Sequence, residues 1–178
     1  VVERSYAPAL STLLAMIKQS DYTFKVAFSI SGVAIEQLEV YAPSIIDLLQ
    51  ELNSTGCVEF LAEPYSHGLS SLIHADTFNE EVSRQAQMME ELFGQKPTVF
   101  RNSGLTYSDD IADLVADLGY KGMLTEGAKH LLGWKSPHFV YNSASRPELN
   151  LLLRDFKLSD DIGLRFSNTS WSEYPLYA

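Results

Sequence analysis

One cysteine, Cys57, stands among the 178 residues, so no disulfide can close within the chain. It lies in the apolar run Cys57-Val58-Glu59-Phe60, where a buried, reduced thiol is expected. Long apolar runs are missing as well: no stretch approaches the ~20 residues of a membrane-spanning helix. No basic segment followed by an apolar one opens the chain, so no signal peptide is visible and a cytoplasmic location is expected. Positive charge is scarce. Thirteen Lys+Arg against 23 Asp+Glu give a formal net charge of −10. The basic residues are scattered rather than gathered in a patch, which argues against a nucleic-acid partner. An initiating Met is also lacking. The chain runs from Val1-Val2-Glu3-Arg4 to Leu176-Tyr177-Ala178, and a piece of something longer is expected.

What is present is the make-up of an ordinary globular domain, 46% apolar and 20% charged with 10 Gly and 7 Pro. The length suits one sizeable core, read as a single domain over residues 1–178. Leu10, Leu13, Leu14 and Ile17 recur at the spacing of an amphipathic helix between Tyr6 and Lys18. Phe24–Ile30 is rich in β-formers, and Ile35–Leu52 predicts helix broken at Pro43. Val58–Ala62 is the next strand, Glu81–Phe93 the next helix, closed by Gly94 and Pro97, and Thr98–Arg101 the third strand. Ser108 opens a helix closed by Gly119, with Asp109 and Asp110 in its first turn. Tyr120–Thr125 predicts a fourth strand, followed by a loop rich in Gly, Trp and Pro (127–147) and the apolar stretch 149–156. Strand followed by helix, three times over, is the pattern of parallel βαβ units, an α/β sheet or barrel with its ligand site at the carboxyl ends of the strands.

The segments just after each strand therefore carry the candidates. Glu59 lies inside an apolar strand and is expected to be paired or to point into a polar centre. Glu63 and His67 follow at the strand's end, suited to hydroxylated ligands, with a solvated Glu63 and a satisfied loop histidine as the alternative. His67 and His74 could form a metal pair but lack a clear third ligand. Arg101, Asn102 and Tyr107 resemble sugar- or carboxylate-binding groups. Asp160-Asp161, with Arg165 four or five residues on, suits a general acid whose proton is retained by a neighbouring negative charge. Trp134, in Gly133-Trp134-Lys135-Ser136-Pro137, offers a flat face on which a pyranose could stack.

Taken in order, Gly56-Cys57-Val58-Glu59-Phe60-Leu61-Ala62-Glu63 with His67, then Phe100-Arg101-Asn102, then Gly122–His130 with Gly133–Pro137, then Leu158–Ser167 resemble the α-amylase and α-amylase-like branch of glycoside hydrolase family 57. The resemblance covers nearly the whole chain. It implies an incomplete (β/α)7 barrel, here a partial one lacking the first strand and the C-terminal helical region. It also implies no cofactor and a retaining attack on α-1,4-glucans such as starch, glycogen or maltodextrin. On this resemblance His67 matches the histidine of the second motif and Asp161 the acid/base, with Asp160 the alternative. The third motif reads Arg-Asn-Thr-Glu-Leu in the family and Arg101-Asn102-Ser103-Gly104-Leu105 here, so Gly104 occupies the nucleophile's position. Glu126 and Glu63 are the nearby substitutes, and weak activity is expected. Two other readings stand beside an active hydrolase. One is a non-catalytic α-glucan binder using Trp134, Tyr107 and His67. The other is a metal-dependent polysaccharide deacetylase, which shares this kind of barrel but needs a paired Asp and His-x3–5-His that the sequence lacks. Open barrel edges lead to an expectation of marginal stability or self-association.

Overall fold

Alternating strands and helices build the chain in the computed structural model, which describes residues 1–174. Leu176, Tyr177 and Ala178, at the chain end, lie outside the described residues. A π-helical turn (Val2–Tyr6) leads into α1 (Ala7–Gln19), followed by β1 (Val26–Phe28), α2 (Gly32–Tyr41) and α3 (Pro43–Ser54). Pro43 separates these last two helices, as its missing N–H requires. Then come β2 (Val58–Phe60), α4 (Ala75–Phe93), β3 (Val99–Arg101), α5 (Asp109–Asp117) and β4 (Gly122–Glu126). After these follow α6 (Lys129–Leu132), β5 (Val140–Asn142), β6 (Asn150–Arg154), α7 (Phe156–Asp160) and a second π-helical turn (Asp161–Arg165).

The strands line up in the order β1-β2-β3-β4-β6-β5. Parallel ladders join β1 to β2, β3 to β4 and β4 to β6, whereas β5 runs antiparallel to β6. Between β2 and β3 only a bridge at Ala62 and Phe100 continues the sheet, with the Ala62 N–H donating to Val99 O (2.9 Å) and the Arg101 N–H to Ala62 O (2.8 Å). Helices α2, α3, α4 and α5 form the crossovers, as parallel strands demand. α4 spans two apolar clusters. Its Phe78 and Val82 pack with Phe100, Ile111, Val115, Met123 and Leu151, and its Met89 and Phe93 pack with Ile17, Ile35, Leu49, Leu52 and Phe60. Phe60 stacks on Phe93 at 4.0 Å between ring centroids, and truncating such a buried ring to Ala costs ~3–5 kcal/mol.

Four sequence expectations change on contact with the fold. Glu59 is exposed: strand alternation turns Val58 and Phe60 inward and Glu59 out, so it needs neither partner nor polar centre. α4 begins at Ala75 rather than Glu81, because His74 caps it, its Nδ1 accepting from the Thr77 N–H at 3.3 Å. That role takes His74 away from His67, and among the described residues no group of three or more His, Cys, Asp or Glu is gathered to hold a metal ion. The stretch expected as loop contains β5, which finds its pairing in β6. Cys57 is buried and free, its thiol donating to Tyr22 O at 3.2 Å. No helix among the described residues is long and apolar enough to cross a membrane.

Candidate functional site

Carboxyl ends of parallel strands carry two polar groups. The first surrounds Glu63, three residues beyond β2 and 2% exposed. Burial of a carboxylate demands partners. Ser29, just past β1, donates its hydroxyl to one carboxylate oxygen, and His67 Nδ1 lies 3.0 Å from the other. A neutral ring that donates to this carboxylate carries its proton on Nδ1 and has Nε2 as its acceptor. His67 holds a left-handed backbone (φ 54°), which costs ~1–2 kcal/mol for a residue with a Cβ. Glu63, His67, Ser29 and Arg101, the last residue of β3, line the polar end of a cavity of about 690 Å3 whose remaining wall is mostly apolar, from the first π-helical turn, α1, α2 and α3.

The second group belongs to β4, β6 and the turn after β6. Arg154, ending β6, donates to Glu126 at the end of β4 (3.1 Å) and to Asp160 in α7, so one guanidinium gathers two carboxylates. Asp161 is buried and accepts from Arg165 Nη1 at 2.7 Å, one turn further on. Asp155 caps α7 by accepting from the Leu158 N–H (3.0 Å) and meets His138 Nε2 at 2.6 Å. The Leu158 N–H first, and His138 second, hold the Asp155 carboxyl below the usual carboxylate range.

Between the two groups runs the segment 102–107 that follows β3. Buried Asn102 ties it down, donating to Ser71 Oγ and Thr106 O, both at 3.0 Å, and accepting from the Ser103 N–H at 3.0 Å. Gly104 is exposed with φ +62°, and Ser103 Oγ is buried with no hydrogen-bond partner among the described residues. Tyr107 shares its hydroxyl between Asp109 (2.9 Å) and Ser143 (3.2 Å), and burial is the main reason its pKa is raised. Trp134 is 93% exposed on the loop after α6.

Glu63, His67 and Arg101 thus come together, and Glu126 joins Asp160. Gly104, Tyr107, Glu126, Trp134, Asp160 and Asp161 do not line the cavity. Sequence reasoning missed two residues that organise these groups. Gln85 is fully buried and bonded to the backbone of Glu63; its signal was a polar residue on the apolar face of α4, in step with Phe78, Val82, Met89 and Phe93. Arg154 was announced only by a charge closing the run Leu151-Leu152-Leu153.

Comparison with known proteins places this architecture. The family model described as "Glycosyl hydrolase family 57" matches residues 1–178. A Methanocaldococcus jannaschii protein named "Putative alpha-amylase" is 42% identical over 179 aligned residues, which take in all of this chain and 38% of that protein. The chain therefore spans well under half the length of that curated relative. Among solved structures, a 4-alpha-glucanotransferase from Thermococcus litoralis matches with TM-score 0.77 and 16% identity, over 92% of this chain and 26% of that one. A family 57-type branching enzyme from Pyrococcus horikoshii matches with TM-score 0.70 and 16% identity, over 90% of this chain and 42% of that one. At such identities the structural likeness speaks for the fold, an incomplete α/β barrel, while the sequence match speaks for descent: the chain belongs to glycosyl hydrolase family 57.

Proposed function

We propose that this chain is the barrel portion of an α-amylase-type protein acting on α-1,4-glucans such as starch, glycogen or maltodextrin. Asp161 is its acid/base and Gly104 stands at the nucleophile's position. The observation that carries the proposal is the family match over the whole chain, together with acids at the carboxyl ends of β2, β4 and β6. A retaining glycosidase uses two carboxyl groups ~5–5.5 Å apart, one attacking the anomeric carbon and the other protonating the leaving oxygen. Gly104 supplies no carboxylate. Glu126 is the substitute best supported, since it ends β4 and shares Arg154 with the α7 segment that leads into Asp161. Glu63 is the weaker one, because its carboxylate is committed to Ser29 and His67. In this reading Glu63, His67, Arg101, Tyr107, Trp134 and Asp160 contact the sugar.

A second reading, a glucan binder without hydrolysis, is favoured by one observation: an exposed glycine at position 104, with no side chain to attack. Reducing-end release from soluble starch separates the two when the chain is assayed beside Gly104→Glu and Asp161→Asn. Activity that Asp161→Asn abolishes supports the hydrolase. Silence that Gly104→Glu breaks supports the binder. Silence throughout, with no heat of binding to maltooligosaccharides, overturns both.

A further inference from the structure

We infer that Gln85 and Arg84 of α4 are positioning residues that set the Glu63–His67 pair and fix the tautomer of His67. The β1–β2 ladder ends at Phe28 and Phe60, closed by the Leu61 N–H donating to Phe28 O at 2.8 Å. Beyond it no backbone hydrogen bond joins residues 29–32 to residues 62–64. Gln85 fills this gap: its Nε2 donates to Ile30 O (3.0 Å) and Leu61 O (3.2 Å), and its Oε1 accepts from the Glu63 N–H (3.3 Å). An amide meets two carbonyls and one N–H at once; a carboxylate or an apolar side chain does not. The end of β1, which carries Ser29, and the start of the Glu63 loop are thereby pinned to one side chain.

The rest of that loop is gripped from the same helix. Arg84 and Gln85 each lie one turn beyond Glu81 on α4. The Arg84 guanidinium stacks 3.7 Å from the centroid of the Tyr65 ring and donates to its hydroxyl at 3.0 Å, while the Ser66 hydroxyl donates to Glu81. Opposite, the Val33 N–H at the start of α2 donates to Tyr65 O at 3.2 Å. These holds fix the approach to His67, whose left-handed backbone directly follows the turn closed by its N–H donating to Pro64 O at 2.9 Å. Glu63 then keeps the proton of the neutral ring on Nδ1, which leaves Nε2 as the acceptor that His67 can offer in the cavity it lines. The geometry stands by itself; only the nature of the ligand, a sugar hydroxyl, rests on the glucan reading.

The 15N shifts of the His67 ring nitrogens, recorded where imidazole is neutral, test this in the chain, in Gln85→Met and in Arg84→Lys. The chain itself is expected to show the Nδ1–H form, and both variants a shift toward mixed tautomers with ~10-fold weaker maltooligosaccharide binding. A purely structural role would lower the melting temperature and leave the His67 nitrogens unmoved. A folded Gln85→Met with the parent's nitrogen pattern overturns the proposal. If that variant fails to fold, the parent's pattern in Arg84→Lys overturns it, and a shift there supports it. Because the tautomer is read without sugar, a shift in a chain that binds no glucan would sink the glucan reading alone.

Discussion

Asp160 and Asp161 are neighbours in sequence and turn to different guanidinium groups: Asp160, half-buried, to Arg154 of β6, and Asp161, 5% exposed, to Arg165 on the following turn. Consecutive positions in a helical turn point about 100° apart, so one of the pair is drawn to the sheet and the other inward along its own turn. Two identical side chains thus acquire different surroundings, and Asp161 is the more fully enclosed.

Arg165→Leu should therefore destabilise the chain by about 2 kcal/mol in urea denaturation, because it strands a buried carboxylate without its charged partner. Combining it with Asp161→Asn should recover most of that loss. Additive losses in the double variant would show that the pair contributes nothing as a pair.

Gly104→Ala and Gly104→Glu should each cost about 1 kcal/mol, a fall of ~2–4 °C in melting temperature, since φ +62° disfavours any Cβ. Space is not the obstacle: a Cβ there would meet only Thr106 Oγ1, at 3.5 Å. Equal shifts for the two variants establish a purely backbone cost and license Gly104→Glu as a fair test of a restored nucleophile. A much larger drop for Glu than for Ala would mean that the loop has closed against a longer side chain.

What the sequence made legible were features written in neighbouring residues. Pro43 splits α2 from α3, Ser108 opens α5 with Asp109 and Asp110 behind it, and Gly94 ends α4 in a left-handed cap. The alternation of strand and helix that these punctuate was enough for the parallel sheet. Features that depend on distant partners were not legible. β5 exists because Val140–Asn142 meets Leu152–Asn150, and its own residues sit in a loop-like context. Arg154 finds Glu126, 28 residues earlier, and Gln85 finds Ile30, 55 residues earlier. Glu59 was misjudged for a related reason, since which face of a short strand is buried depends on what packs on it. For the candidate site, the residue types at the strand ends were readable. Their division into a Glu63 group and an Arg154 group was not.

Gly32, at the start of α2, should tolerate no side chain. A Cβ built there overlaps the Tyr65 ring, which is 4% exposed and held by Glu36 and Arg84. Gly32→Ala is expected to cost ~1–3 kcal/mol by overpacking. In a Tyr65→Ala background the same change should cost almost nothing, measured again by urea denaturation. An undiminished cost there would assign the effect to the helix start rather than to the ring.

Alkaline pH offers a check on the second core cluster. Tyr120 packs its ring 5.7 Å from that of Phe100, and burial pushes its pKa from 10.0 to about 12. Folding therefore favours the protonated phenol. Below the unfolded value both states hold the proton and the stabilisation is fully present; between about 10 and about 12 the unfolded chain ionises first, and stability is lost as the pH rises through that window. Two pH units correspond to a loss of about 2–3 kcal/mol. Burial raises Tyr65 and Tyr107 in the same direction, so they add to the fall. Tyr120→Phe should leave stability near neutral pH unchanged within ~1 kcal/mol and flatten the decline above pH 10. A variant whose stability falls as steeply as the parent's over that range would show that the Tyr120 phenol titrates in water, outside the core.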